Sequence, residues 1–550
     1  MKRMLIALLA VLGLAGCVAI PDAGPVTQGQ VDTSEQRSDL LFLPPPPQPG
    51  ATQEEIILGF LTASISPPDD FAIAREYLAP DAADAWDPEA RVLVRTGAQP
   101  EISLSGEETA ASAVVTSLSE LDAGGALQLT GDDRMLEFAL ERVDGEWRIA
   151  QAPDGIVLSA FYFDQLFRAH TLHWLTPDGT RSVPEVRWFE RTASTLQQRI
   201  VDALLDGPSA WLAPAVITNG APEASLVGPP RITGTTMAIT LSFAQIEQLG
   251  SGSLVPLASQ LALSLRDVGV REVRVEVEGL DGLTASSLDA EPVDEGDVDQ
   301  RPLVLEGSSL RSVGGGTPTI DDVGPTLAAI GATSYTVGAA GGVAHTGTTA
   351  AWIAPDADPV VVSTDAGPVP TVDDSGWVLL QERGAAQRLV AWRAGERTEL
   401  ALPPGSSQIA AMELSRDGTR LAIVTSEGGS SEVWLLAVSR DADGRPVGLG
   451  EPYPMPAVEG AATDITWVSS TQVAVLATDD DAAQIAVLAI GGVSEQLPSP
   501  GAAVQAIVGG SEGTASLRAL SADGALLSLR GRVWSPANGL DPVQLIATQQ

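Results

Sequence analysis

Few residues of this sequence have the type and spacing for covalent chemistry, and the sharpest candidate is a thiol. Cys17 is the single cysteine among 550 residues. It directly follows Leu14-Ala15-Gly16, at the end of the apolar run that begins at Met4, and Lys2 and Arg3 precede that run. The run is shorter than the ~20 residues a spanning helix needs. A basic start, a short apolar stretch and a small-residue end have the build of a cleavable secretory signal. A cysteine placed just after such a signal offers a nucleophile for alkylation; the plainer reading is an ordinary signal with an incidental cysteine. One cysteine excludes disulfides within the chain and any multi-cysteine metal site.

The other candidates are weaker. Gly509-Gly510-Ser511-Glu512-Gly513 fits G-x-S-x-G, but a nucleophile elbow needs a strand before it, a helix after it, and a later Asp and His. No histidine follows His345, so Ser511 reads as a loop residue. His170 and His173 lie close in sequence, yet a metal site needs further placed ligands. Asp441, Asp443 and Gly444 read as a turn, with an inter-blade Ca²⁺ as the alternative. Asp69, Asp70 and Glu76 read as a solvated helix face. Asp289, Glu291, Asp294, Glu295, Asp297 and Asp299 lack the spacing of a Ca²⁺ loop and read as an acidic linker. No nucleophile, base and orienter come together. The expectation is therefore a protein with no catalytic residues, no metal and no cofactor beyond a covalent lipid. With 31 basic against 71 acidic residues the net charge is −40, which argues against nucleic acid as a partner.

These residues need several domains to hold them, because single cores stop growing at about 250–300 residues. Residues 17–50 carry Pro, Gln, Ser and Asp and end in Pro44-Pro45-Pro46-Pro47, the composition of a stiff tether. From 51 to 160, helical spacing of Ile56, Ile57, Phe60 and Leu61 gives way to strands at 91–95, 111–117, 126–129, 135–142 and 147–150. The turn Asp144-Gly145 joins the last two, so this part reads as α+β. Residues 161–280 alternate: a helix to 171, a strand at 172–175, a helix at 194–206 stopped by Gly207-Pro208, a strand at 237–243, a helix at 254–268, and a strand in which Val273, Val275 and Val277 alternate with charges. Residues 281–299 form the acidic linker. After 300, short apolar stretches alternate with turns at a period of about 50, seen in Leu414–Ala422 and Leu520–Leu527, each holding an Asp-Gly turn, and between them in Ile465-Thr466-Trp467 with Val473-Ala474-Val475, which repeats the pattern without the Asp-Gly. Such a period is the signature of a β-propeller, here of five or six blades.

Leu14-Ala15-Gly16-Cys17 resembles the lipobox of bacterial lipoproteins, in which the cysteine sulfur takes a diacylglycerol. The α+β part is similar to the cone-shaped nuclear-transport-factor-like fold, and 161–280 resembles the GerM-type domain through its Leu-Leu-Asp-Gly-Pro helix ending. Lipobox, proline tether, an α+β domain ending in Gly145-Glu146-Trp147-Arg148-Ile149, the GerM-like domain and a propeller with Leu414-Ser415-Arg416-Asp417 together resemble the actinobacterial LpqB lipoproteins. That resemblance implies a palmitate-bearing protein on the outer face of the cell membrane. It also implies a role as accessory to a two-component system, binding the extracytoplasmic domain of an MtrB-like sensor kinase in envelope homeostasis and cell division. The alternative is a lipoprotein that binds a cell-wall polymer or small ligand through the propeller face or the cone pocket. Only Cys17 carries over as a modified residue.

Overall fold

The computed structural model describes residues 44–550 except 66–70, 98, 106–108, 192–194, 218–223, 245–250, 281, 316–322, 385–387, 404–408, 428–429, 480–481 and 541. The described chain packs as one compact unit. Its order is the expected one: an α+β part, an α/β part and an all-β part.

The first part opens on the helix Gln53–Ala63. Thr52 caps it, and Glu55 returns a hydrogen bond to the Thr52 backbone, so spare N–H groups at the start are satisfied. Ile56, Ile57, Phe60 and Leu61 face a curved sheet whose strands run in the order Glu146–Gln151, Asp133–Val143, Ala110–Asp122, Arg91–Arg95 and Ile156–Ser159. Asp144 and Gly145 both have positive φ, 52° and 89°, which a two-residue hairpin turn between right-twisted strands requires. Aromatic edges fill the space between helix and sheet, with Phe60 5.1 Å from Trp86. The cavity left inside is about 10 Å³, no more than one water needs. Residues 44–50, read from sequence as the end of the tether, lie against this part. Tyr77 donates to the Pro45 carbonyl at 2.9 Å, and the Gly50 amide to Glu146 at 2.7 Å.

The second part differs from expectation at its start. The helix Ala160–Leu166 stops early, and Phe167–Leu175 is one long strand paired antiparallel with Ser182–Glu190. The partner strand holds residues 167–171 extended, and that pairing leaves no local trace in sequence. The expected strand, helix, strand series follows. Thr236–Phe243 and Glu272–Val277 pair in parallel, joined through the helix Ser251–Ser264. Val273, Val275 and Val277 are buried under Leu254, Leu257 and Leu261, while the alternating charges face out.

Among the described residues the all-β part builds five sheets. The first holds Leu303–Glu306, Ser309–Ser312, Ser334–Gly338, Gly341–His345, Ala350–Ile353 and Val360–Ser363, and the chain's last strand, Leu545–Gln549, joins it between Leu303–Glu306 and Ser334–Gly338. Four sheets follow in chain order, starting at Thr371–Val372, Ile409–Leu414, Ala461–Ser469 and Val504–Val508. The two Asp-Gly segments share a turn but not a place. Asp417-Gly418 links the first and second strands of the third sheet, whereas Asp523-Gly524 links the second and third strands of the fifth. In both turns a serine two residues before the aspartate donates to its carboxylate, and the glycine takes a positive φ. The likeness is one of turn chemistry, which any hairpin can use.

Candidate functional site at the domain junction

The strand pair Phe167–Leu175 and Ser182–Glu190 lies where the three parts meet. Its inner side chains form one core with the third and fourth sheets, through Trp174, Val183, Val424 and Trp467 among others. Polar groups lock its edges. The Trp188 amide donates to the Gly125 carbonyl of the first part at 2.7 Å, and the Trp188 indole donates to Gly491 of the fourth sheet at 2.6 Å. The Tyr453 hydroxyl reaches from the third sheet to Leu127 of the first part at 2.9 Å, and burial pushes that phenol up to about 12.

A buried ion pair sits inside this joint. Glu185 accepts from Arg187 at 3.1 Å, from the Trp174 indole at 2.8 Å and from the Ser209 amide at 3.2 Å. Arg187 also donates to Gly124 at 3.2 Å and to Gly207 at 3.4 Å. The Gly207-Pro208 helix ending therefore does more than stop the helix: its carbonyl and the following amide complete the charge cluster. Only this satisfaction makes the pair tolerable, because an isolated buried charge is very costly.

A second polar cluster lies where the acidic segment crosses the third to fifth sheets. Arg181 donates to the Arg416 carbonyl and to Asp374, both at 2.6 Å. Arg266 grips Glu295 with two hydrogen bonds, 2.7 and 2.8 Å, which hold that carboxyl below its usual range. The acidic residues are thus partly engaged by arginines. Asp417 and Arg420 are buried as an ion pair, and the Arg420 guanidinium lies 4.9 Å above the Trp467 ring. Burial acts to raise the Asp417 carboxyl, but Arg420 and hydrogen bonds from Arg420, Thr419 and Ser415 outweigh it and lower it.

The residues singled out from sequence fall as follows. Leu14, Ala15, Gly16 and Cys17 lie outside the described residues, as do Asp69 and Asp70. Ser511 accepts from Gln300 at 2.6 Å and from the Val298 amide at 3.4 Å, so it pins the end of the acidic segment. His173 pairs with Ser182 at 2.7 Å, and burial lowers its ring to about 4, so it is neutral. His170 packs 5.9 Å from Phe189, away from His173. His345 is buried in the first sheet, with burial lowering its ring. Asp441 accepts from the amides of Asp443 and Arg445, both 3.0 Å, and so builds its own turn. Among the described residues no group of three His, Cys, Asp or Glu could hold a metal ion. No described helix is long and apolar enough to cross a membrane.

Sequence reasoning missed the linked carboxylates of the inner strands. Glu413 accepts from the Trp467 amide at 2.9 Å and from Thr466 at 3.2 Å, and Asp464 accepts from the Ile507 amide at 2.8 Å. Each ties one sheet to the next. Burial raises both to about 7. An acid inside an apolar strand, as in Met412-Glu413-Leu414, was the available signal.

Residues 46–164 match the family described as Lipoprotein LpqB, N-terminal domain. Residues 171–281 match Sporulation and spore germination, and 310–544 match Lipoprotein LpqB beta-propeller domain. Lipoprotein LpqB of Thermobifida fusca (strain YX) is 36% identical over 232 residues, 39% of this chain and 36% of that protein. Lipoprotein LpqB of Nocardia farcinica (strain IFM 10152) is 29% identical over 279 residues, 48% of this chain and 45% of that protein. The chain thus spans less than half the length of these two relatives. Lipoprotein LpqB of Streptomyces avermitilis is 23% identical over 580 residues, which cover 95% of this chain and 94% of that protein. With both LpqB domain families matched in order around a germination-type domain, and a relative aligned along nearly its whole length, the chain belongs to the LpqB lipoprotein family.

Proposed function

We propose that the mature protein is held on the extracytoplasmic face of the cytoplasmic membrane by a diacylglycerol on Cys17. There it binds the outer domain of a sensor histidine kinase and modulates its output. Family membership supports the lipoprotein part. The observation that carries the docking part is the junction itself. A body whose second and all-β parts share a core, and whose first part is tied to both by hydrogen bonds, presents fixed surfaces, so a partner bound at one part is felt at the others. Two acyl chains give stable anchoring at ~0.8 kcal/mol per buried CH₂, where one chain is marginal. The net charge of −40 keeps the body off anionic lipid.

Two measurements test this. Cys17→Ser is expected to abolish the lipid mass and release the protein from membranes; retention of the variant on membranes would overturn the anchor. The full-length protein in detergent is expected to bind the purified outer domain of the MtrB-like kinase. No binding, with unaltered kinase output in a deletion strain, would overturn the docking role. The second reading, capture of a cell-wall polymer or small ligand, is served less well by the first part, whose interior is filled. It would be favoured by retention on peptidoglycan that is lost when residues 300–550 are removed.

A further inference from the structure

Buried cations are normally neutralised by a carboxylate at contact distance. At the junction, Arg420 obeys this rule through Asp417 and Arg187 through Glu185. Arg416 does not. It is 8% exposed, and its Nη2 donates to two carbonyls, Trp467 at 3.2 Å and Gly509 at 2.9 Å. Glu413 and Asp417 reach it only through longer-range attraction. Its Nε has no partner among the described residues, and neither has the Nε of Arg420 or of Arg187, so the difference from Arg187 lies in the missing carboxylate.

Both side chains line a cavity of about 170 Å³ between the acidic segment and the third to fifth sheets. Ser469, Ser470 and Ser511 add hydroxyls to its wall, and Asp297 stands at its roof. Glu295 and Asp417 also line it, but each is already held by an arginine, Arg266 and Arg420 respectively, so the lining leaves Arg416 as the cation without a carboxylate at contact distance, beside three serines. Planar guanidinium donors match the oxygens of carboxylate and phosphate groups. Asp297 is exposed and opposes any anion that enters.

We infer that this cavity is a binding site for a small oxyanion, the phosphate or carboxylate group of a free ion or of a larger molecule's end, seated on Arg416. The site is independent of the kinase reading: it concerns residues inside the body, whatever docks outside.

The test is calorimetric titration of the full-length protein in detergent with inorganic phosphate and, separately, with acetate. Saturable one-to-one binding of either supports the site and tells which geometry it prefers. Arg416→Gln is expected to weaken binding about tenfold or more, the loss of one charge-assisted hydrogen bond. Asp297→Asn is expected to tighten it by removing the opposing charge. No saturable binding of either ion, or equal affinity in Arg416→Gln, would overturn the inference. If Arg416→Gln fails to fold, as judged by near-ultraviolet circular dichroism, exposed Asp297 decides alone: tightening supports the site and unchanged affinity overturns it.

Discussion

Arg187 and Arg416 both sit buried at the junction, one where the strand pair meets the first part and one where the acidic segment meets the sheets. Arg187 is closed: a carboxylate faces it, and that carboxylate's other oxygen is taken by a backbone amide. Arg416 is open: it holds carbonyls only, beside a polar cavity. The same residue type at the same depth thus serves two ends. A closed cluster fixes the angle between domains, whereas an open one leaves binding capacity unused. The difference lies in the neighbours, since Trp174, Ser209 and Gly207 all converge on the closed pair.

The comparison breaks most severely at the closed pair. Arg187→Ala should destabilise the protein by about 3–5 kcal/mol, because Glu185 is left buried without a counter-charge. Urea unfolding would measure it. The double variant Glu185→Leu with Arg187→Met should lose less than the single one. Equal losses would mean that the pair matters for packing rather than for charge.

The sheet-linking carboxylates sharpen the contrast through pH. Glu413 and Asp464 titrate near pH 7 when folded, above the ordinary carboxylate values of 4.5 and 3.8. A raised acid favours the folded state fully below its unfolded value, and that contribution is lost as pH rises toward 7. Asp464→Asn should therefore gain stability relative to the parent as pH rises from about 4 to 7, on the order of 4 kcal/mol. Unfolding at a series of pH values checks the slope; a constant difference would contradict the assignment.

Smaller effects belong to the open side. Ser511→Ala should cost about 1–2 kcal/mol, since Gln300 and Val298 lose their acceptor. A hydrolase centred on this serine would instead lose activity while keeping its stability. Glu295→Gln should cost under about 1 kcal/mol, because its pair with Arg266 is more than a third exposed on both sides and is screened by salt. A salt-independent loss would show that the segment is held by more than charge.

Periodic patterns were legible before any coordinates. The alternation of Val273, Val275 and Val277 and the Asp144-Gly145 hairpin each express a local rule of backbone geometry. The Arg91–Arg95 strand appears with the expected ends. The long strand Phe167–Leu175 was half missed, because its first residues are extended by a partner and not by their own pattern. The Asp-Gly repeat led to the right all-β reading although its two turns are not equivalent: one local turn recurs at unequal places in two sheets.

What the chain fixes by itself is the order of its parts, its net acidity and the placement of one thiol behind a short apolar run, since each depends on composition or on residues adjacent in sequence. The pairing of Glu185 with Arg187, the isolation of Arg416 and the burial of Glu413 and Asp464 were decided only by folding. Glu185 and Arg187 are two residues apart, but the groups that close their pair and those that hold Arg416, Glu413 and Asp464 come from segments tens of residues away, and burial is a property of what packs over a side chain, which no local spacing records.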